Sequence, residues 1–414
     1  MCKEQTKVAT TEPISEVSDP ALQSKQDKNH RTITLSELKS HNKPSDAWCA
    51  VHGDVLDIST FAKRHPGGDL IFLSAGMDAT ILVETYHPRG VPKSLMEKLK
   101  VGVMGEDEIT ASFYSWDSDF YPTLRKRVVA RLAELKLNRR GSIEITIKAL
   151  FLLAGFWGSL YKMFTSPSFT EAAPFSALMG IFASFVGTCI QHDGNHGAFS
   201  TWKSVNKMAG WTMDMIGASA FTWEFQHMLG HHPYTNLLDV KEDVKKGNGV
   251  DCAMNEKDQE SDPDVFSSFP LMRMHPVHKP SSFHRYQHLY APVLFAFMTL
   301  AKVFQQDIEV VLQGRLYHID ATSRYGSIWN VLRFWGMKAV STVYMIGLPC
   351  YFHGVGKGLG LFLIGHLVCG EMLATFFIVN HVIEGVSFAK KNETGQDGKC
   401  KPNFRPTTVN GNTP

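Results

Sequence analysis

The chain has 414 residues, enough for two domains or more, and carries 42 lysines and arginines against 40 aspartates and glutamates. The formal net charge of +2 gives no basis for binding nucleic acid through bulk charge, so we expect no nucleic-acid partner. The seven cysteines are scattered without a Cys-x-x-Cys pair, which excludes a zinc ribbon or a disulfide framework. The polar residues 1–31 have no apolar core, which argues against a signal peptide and predicts a disordered tail.

Residues 32–105 are predicted to form a compact domain with short strands. Strands are expected at 47–51 and 55–58, with a turn at Gly53-Asp54. Two histidine motifs follow, and their histidines are 22 residues apart: His65-Pro66-Gly67-Gly68 and Tyr86-His87-Pro88. Proline and glycine allow a sharp turn at the first motif that a bulky residue would crowd.

These two motifs resemble those of cytochrome b5. The resemblance implies an α+β domain that binds haem b, with His65 and His87 as axial ligands and cytochrome b5 reductase as the electron donor. A haem iron with both axial positions filled by imidazole has no open site for O2, so it passes single electrons. The alternative interpretation of His65 is a turn histidine without a function.

Four long apolar runs follow a basic connector over residues 106–144. They lie at 147–164, 173–190, 328–352 and 359–379. A helix needs about 20 residues to cross a bilayer, so the runs predict an all-α membrane domain of about four spans over residues 145–390. Basic residues that flank a span favour the cytoplasmic side. The polar stretch at 391–414 predicts a loop or tail.

Histidines are concentrated in two clusters between residues 192 and 232. The members of each pair His192/His196 and His227/His231 are four residues apart, which places them on one face of a helix. His232 is expected to point elsewhere, where it could reach a second metal ion. Neutral imidazole suits iron, zinc, copper or nickel, and the scarcity of carboxylates within the clusters argues against magnesium or calcium.

The number of predicted spans bears on whether the clusters meet. Two spans separate the basic connector from the first cluster, and two more separate the second cluster from His381. An even number of crossings returns the chain to the same side each time. We therefore expect His381 to lie on the cytosolic side with both clusters and to share a metal site with them.

The two clusters, with the residues around them, resemble the first two histidine boxes of membrane fatty-acid desaturases, and the fused haem domain resembles the front-end group of that family. The resemblance implies O2-dependent insertion of a cis double bond near the carboxyl end of a polyunsaturated acyl chain, with Δ4 position favoured. It implies two non-haem iron ions, with ligands His192, His196, His227, His231, His232 and His381. The substrate would be an acyl lipid or acyl-CoA, and the location the endoplasmic reticulum membrane.

One feature departs from the family pattern. The family has a third box, (His/Gln)-x-x-His-His, after the last span, whereas no histidine follows His381 in this sequence. An incomplete iron site is therefore expected, and with it a chain that binds haem but lacks desaturase activity. Three other functions stay open: a haem-fused sphingolipid desaturase, a fatty-acid hydroxylase, and a membrane-anchored electron carrier.

Overall fold

The computed structural model describes residues 31–87, 89–105, 119–138, 140–236, 262–266, 269–274, 278–316, 319–320 and 328–383. The predicted tail at 1–31, apart from Arg31, and the predicted loop at 391–414 lie outside these residues. An α+β domain comes first, and helices with one two-stranded hairpin make up the rest. The expected fold class is confirmed in this outline.

The first domain is built on a five-stranded sheet with strand order β1-β5-β4-β3-β2. Its strands are β1 (Thr32–Ile33), β2 (Asn42–Lys43), β3 (Asp46–Val51), β4 (Asp54–Asp57) and β5 (Lys100–Met104). Only β1 and β5 pair in parallel among the strands described, and every other pair is antiparallel. Three α-helices accompany this sheet: α1 (Leu35–Ser40), α2 (Thr80–Tyr86) and α3 (Lys93–Leu99).

The hairpin between β3 and β4 turns one residue earlier than expected. His52 has φ 49° and Gly53 has φ 85°, so the two positive φ values fall at 52–53 rather than at Gly53-Asp54. Two consecutive residues with positive φ define the tight turn whose twist matches antiparallel strands. Asp54 is therefore the first residue of β4, and it pairs with Val51.

The remaining helices are grouped by their place in the chain. A connector helix and two long helices come first: α4 (Phe120–Glu134), α5 (Ile143–Thr165) and α6 (Phe169–Phe185). Short helices surround the histidine clusters: α7 (His192–Asn195), α8 (Lys203–Gly210), α9 (Thr212–Met215), α10 (Ala220–Trp223), α11 (His232–Tyr234) and α12 (Pro263–Phe266). The last group is α13 (Gln287–Ala296), α14 (Met298–Ala301), α15 (Asp307–Gln313), α16 (Ile328–Thr342), α17 (Leu348–His353) and α18 (Val355–His381). The hairpin strands are β6 (Arg315–Leu316) and β7 (Ile319–Asp320).

Four π-helical segments join these helices into longer continuous ones. They are Val186–Gln191, Glu224–His231, Lys302–Gln306 and Val343–Gly347. A π turn contains one residue more than an α turn, so it changes which side chains share a face. Two of these segments lie at the histidine clusters: Val186–Gln191 ends just before His192, and Glu224–His231 contains His227 and His231.

Three helices are long and apolar enough to cross a membrane, by length and composition, within the described residues: Ile143–Thr165, Phe169–Asn195 and Val355–His381. The fourth predicted span is a continuous helix over 328–353 that carries Arg333 and Lys338. Its C-terminal end lies beside the C-terminal end of α5, where His353 Nε2 is 2.8 Å from the carbonyl oxygen of Met163. This helix therefore runs the full length of the bundle.

Helices α6 and α18 cross in close contact at the centre of the bundle. The Ser176 hydroxyl of α6 donates a hydrogen bond to the Leu361 carbonyl of α18. A Cβ atom on Gly180 would lie 2.2 Å from the carbonyl oxygen of Gly365, so only glycine permits this approach. Small residues at such a contact let two helix backbones approach closely. The van der Waals packing that results stabilises helix pairs in lipid, where the hydrophobic effect does not drive helices together.

Replacing Gly180 with alanine is expected to destabilise the bundle by about 1–3 kcal/mol, the usual cost of overpacking, because the neighbouring backbone has to shift. Gly158→Ala in α5 is a matched control, since a Cβ there meets nothing within 4 Å. Gly158→Ala is expected to be neutral or slightly stabilising because alanine favours helix. Half-unfolding temperatures in detergent provide the measurement, and equal values for the two variants would contradict the expectation.

Candidate active site

The two motif histidines of the sheet domain face one another. The rings of His65 and His87 lie with centroids 6.0 Å apart. Nδ1 of His65 is 3.4 Å from the carbonyl oxygen of Gly68, and Nδ1 of His87 is 3.0 Å from that of Val83. Each Nδ1 therefore carries the proton, which leaves Nε2 as the atom available for a metal. The pair thus fits the two axial positions of a haem iron.

The turn at Pro66–Gly68 depends on its glycines. A Cβ on Gly67 would lie 2.9 Å from Cε1 of the His65 ring, so any larger residue would displace that ring. Burial, the largest influence, lowers the pKa of His65, which favours the neutral ring that binds iron. The position of the His65 ring therefore requires glycine at residue 67.

The two histidine clusters converge beyond the membrane helices. Four residues form one group whose ligand atoms all lie within 4.8 Å of one another: His192, His196, His227 and His232. Nε2 of His232 is 3.1 Å from Nε2 of both His196 and His227. Nitrogen atoms this close in the neutral form, aimed at one point, are suited to hold a metal ion.

His232 points away from its neighbour His231, as expected, because the two histidines belong to different groups. It also faces His227, which the spacing by four had paired with His231 only. The cause is the π-helical segment Glu224–His231, in which the longer turn brings residues five apart onto one face. His227 and His232 are five positions apart in the chain, and their ring centroids are 4.6 Å apart.

A second group lies alongside the first and shares one residue with it. It consists of His227, His231 and Asp264. The His381 ring, at the end of α18, lies 4.5 Å from the His231 ring. Asn236 fixes this arrangement, because its side chain donates to the His381 carbonyl over 3.2 Å. The expected meeting of His381 with both clusters on one side of the bundle is thus found in the structure.

Two aspartates that sequence reasoning missed complete the site. Asp264 Oδ2 accepts from Nδ1 of His227 over 2.9 Å, and both oxygens of Asp262 lie within 3.0 Å of Nδ1 of His231. Asp262 is fully buried. The polar, acidic stretch 239–264 of the sequence is typical of an exposed loop, but Asp262 and Asp264 at its end have little or no exposed surface. Residues 237–261 lie outside the described part. A carboxylate on Nδ1 orients the ring and leaves Nε2 for a metal, a common arrangement at histidine-bound metals.

Electrostatics hold most of these rings neutral. Burial and the neighbouring imidazoles lower the pKa of His196 to about 2 and that of His232 to about 3. Burial also lowers the pKa of His227, although Asp264 opposes it. His231 differs: burial lowers its pKa, but the hydrogen bond and charge of Asp262 outweigh burial and raise it. Neutral imidazole is the form that binds metal, so the site favours cations.

Aromatic side chains lie against the buried part of the cluster. Trp223 stacks on His227 with centroids 4.2 Å apart, and its ring also approaches His192 and His196 at 5.7 and 5.6 Å. Phe221 and Phe225 on the same segment are fully buried. The run of aromatic residues just before the second cluster is the signal that could have identified Trp223. A dry surrounding strengthens the interaction of a bound ion with its ligands.

The sheet domain is docked on this site. Tyr86, next to His87 in the chain, has its ring 6.1 Å from those of both His196 and His232. Two facing imidazoles suited to hold a haem, beside a cluster of imidazoles suited to hold metal at one end of a bundle of apolar helices, are the arrangement of an oxidoreductase with a built-in electron carrier.

Comparison with known proteins gives the family. Residues 34–105 match the Cytochrome b5-like Heme/Steroid binding domain, and residues 168–410 match the Fatty acid desaturase family. The second match covers more than half of the chain. The protein therefore belongs to the fatty acid desaturases, as a member with a fused cytochrome b5-like domain, and this family uses a pair of iron ions.

Curated relatives agree with this assignment. The chain is 32% identical to the Acyl-lipid (8-3)-desaturase of Physcomitrium patens, over 91% of this chain and 75% of the relative. It is 30% identical to the Acyl-lipid (8-3)-desaturase of Mortierella alpina, over 88% and 78% of the two chains. It is also 30% identical to the Delta(5) fatty acid desaturase A of Dictyostelium discoideum, over 86% and 73%.

Proposed function

We propose that this protein inserts a cis double bond near the carboxyl end of a polyunsaturated acyl chain carried by a lipid. The observation that carries the proposal is the meeting of six histidines from distant parts of the chain beside the haem domain. The names of the relatives reported above, (8-3) and Delta(5), support insertion near the carboxyl end. None of these three names gives a Δ4 position. Whether the double bond is inserted at Δ4, as the sequence resemblance favours, is a question for product analysis.

The reaction consumes one O2 for each double bond. Two adjacent methylene groups each lose one hydrogen, and the chain gains a C=C bond. O2 takes those two hydrogens, two protons and two external electrons, and leaves as two waters. An iron pair supplies the oxidising power that an unactivated C–H bond requires, and the haem of the fused domain supplies the electrons one at a time.

We assign the iron ligands to the six histidines: His192, His196, His227, His231, His232 and His381. The burial of His227 and His231, and the lowered pKa values of His196 and His232, support this assignment. In the assignment Asp262 and Asp264 hold the His231 and His227 rings in the orientation that presents Nε2. Trp223 excludes water from the reacting end of the acyl chain.

The surroundings of the site favour a substrate held in a bilayer. The proposed iron site lies at the end of three helices long and apolar enough to cross a membrane. We place the protein in the endoplasmic reticulum membrane, with the haem domain and the histidines on the cytosolic side. Cytochrome b5 reductase is the proposed donor to the haem, and an acyl lipid is preferred to acyl-CoA because the relatives are named acyl-lipid enzymes.

The test is expression of the 414-residue chain in a host without related desaturases, fed with polyunsaturated fatty acids. A product with one additional double bond on the carboxyl side, identified by gas chromatography with mass spectrometry, supports the proposal. Hydroxylated or sphingoid products would replace it with one of the other haem-fused oxygenases.

Metal analysis of the purified protein separates the remaining alternatives. The ligand assignment is supported if the wild-type protein contains both haem and non-haem iron and the double variant His196→Ala/His232→Ala loses the non-haem iron. Haem without non-haem iron, and without product, would favour the membrane-anchored electron carrier and the inactive chain expected from the missing third box. The exposed His288→Ala serves as the control variant, because it lies away from both groups.

A further inference from the structure

The haem domain and the helical domain share a buried interface. One hydrophobic cluster includes Leu73 and Leu82 from the haem domain together with Phe221, Phe225 and Leu229 from the segment that carries the second histidine cluster. A continuous core across the boundary fixes the relative position of two domains, since side chains in a core are closely packed. The haem domain is thus held against the histidine cluster rather than tethered near it.

Each of the two haem-facing histidines has its own polar contact between its chain segment and the helical domain. The Lys203 ammonium, from α8, donates to the backbone carbonyl of His65 over 2.7 Å. The Tyr86 hydroxyl donates to the carbonyl of Met228, which follows His227, over 3.3 Å. On the far side of α2, Glu84 accepts from Arg125 over 3.2 Å, and its carbonyl accepts from the Tyr121 hydroxyl over 2.9 Å.

Tyr86 lies next to both sites. Its backbone is bonded to His87, one of the two haem-facing histidines. Its ring lies 6.1 Å from the rings of His196 and His232, which are members of the first histidine group. Burial raises the pKa of its hydroxyl, so the ring stays neutral throughout the physiological range.

We propose that Tyr86 is the contact through which electrons pass from the haem to the histidine-bound iron pair, and that Lys203 and Tyr86 together hold the haem domain in the position that allows transfer. The acceptor in this proposal rests on the iron site of the proposed function. One electron leaves the reduced haem and reduces one ferric ion, with no bond formed or broken, and two such transfers supply one turnover. Tyr86 provides the contact and is neither oxidised nor reduced.

The experiment compares Tyr86→Phe with Tyr86→Ala in the purified full-length holoenzyme. The haem is reduced with dithionite, the excess is removed, and haem oxidation is followed optically after mixing with O2 and acyl substrate. Tyr86→Phe keeps the ring and loses one long hydrogen bond, so its rate is expected within about twofold of wild type, whereas misplacement of a reacting group by 1 Å costs up to about 10²-fold. We therefore expect Tyr86→Ala to slow haem oxidation by about tenfold or more.

A second readout needs no iron. Hydrogen–deuterium exchange of residues 80–86 and 224–231 is expected to increase in both Tyr86→Ala and Lys203→Met. The haem spectrum and the haem reduction potential of Tyr86→Ala are expected to stay unchanged. Lys203 belongs to the helical domain and contacts the haem domain through the backbone carbonyl of His65, so its variant tests the docking with every side chain of the haem domain in place. Wild-type rates and wild-type exchange in Tyr86→Ala would overturn the proposal.

Iron-depleted wild-type protein separates this proposal from the proposed function. If haem oxidation is equally fast with and without non-haem iron, the iron pair is not the acceptor and the proposed function fails. The exchange result still reports whether Tyr86 and Lys203 hold the domains together. If iron accelerates haem oxidation and Tyr86→Ala retains that acceleration, the proposed function stands and the role of Tyr86 fails.

Discussion

Asp264→Asn is expected to weaken the binding of non-haem iron by about 10–100-fold, the usual effect of removing a carboxylate that orients a metal-bound histidine. Asp264 is a fixed acceptor for His227, and its other oxygen accepts from the Gln226 amide over 2.7 Å. Burial opposes ionisation, but the hydrogen bond and charge of His227 lower the pKa of Asp264 to about 2, so the group is charged. Asparagine removes that charge and offers a single oxygen.

Asp193→Asn provides the matched control for Asp264→Asn. Asp193 Oδ1 is 3.5 Å from Nδ1 of His192, too long for a strong hydrogen bond, and its side chain is partly exposed. Both variants are titrated with a chelator, and haem and non-haem iron are measured separately in each. Haem content is expected to stay unchanged. Equal iron retention in the two variants would show that Asp264 does not support a metal-bound ring.

Asp307→Asn is expected to destabilise the protein by about 3–5 kcal/mol, the cost of leaving a buried charge without its partner. Asp307 is fully buried, forms an ion pair with Lys302 over 3.0 Å and accepts a hydrogen bond from Lys338 over 2.8 Å. The Thr222 hydroxyl also donates to it. The neutral amide leaves two largely buried ammonium groups facing each other in an apolar surrounding.

Glu309→Gln on the same helix is the control for Asp307→Asn, because Glu309 is exposed and a surface change of this kind costs about 0.5 kcal/mol or less. Adding Lys338→Met to Asp307→Asn removes one of the two unpaired charges and is expected to recover part of the loss. Unfolding temperatures in detergent are the measurement. If Asp307→Asn lowers the unfolding temperature no more than Glu309→Gln does, the buried cluster of Asp307, Lys302 and Lys338 does not have the proposed energetic role.

The cluster of Asp307, Lys302 and Lys338 is linked by hydrogen bonds to the proposed iron site. The Lys302 ammonium donates to the Gln226 side-chain oxygen over 2.8 Å, and Gln226 donates in turn to Asp264. The effect of Asp307→Asn is therefore expected to extend to iron retention, although less strongly than Asp264→Asn, because two further hydrogen bonds intervene.

Local patterns were sufficient for much of the fold. Apolar runs of about 20 residues predicted the long helices, since no water satisfies a backbone in lipid and the helix is the local solution. The His-Pro-Gly-Gly turn predicted the position of His65 because the glycine requirement is a contact within a few residues, between Gly67 and the His65 ring. Both features depend on interactions between residues close in the chain.

The histidine cluster was predicted in part. Spacing by four identified the members of each pair but did not show that His232 faces His227, because the switch from an α-helix to a π-helix at Glu224–His231 is decided by packing rather than by the segment itself. Asp262 and Asp264 were missed for a related reason. Their sequence reads as polar loop, and only the contacts with His231 and His227 make them buried residues of the site.

The sequence by itself determined the two domain types, the long helices, the haem histidines and the set of imidazoles, because each is encoded in a short pattern or in a count of apolar residues. Only the tertiary structure decided which nitrogen atoms meet, which carboxylates hold them, and that Tyr86 lies between the two sites. These features join residues up to 150 positions apart in the chain, as between His231 and His381. Their geometry follows from the packing of whole helices and domains, which local periodicity does not specify.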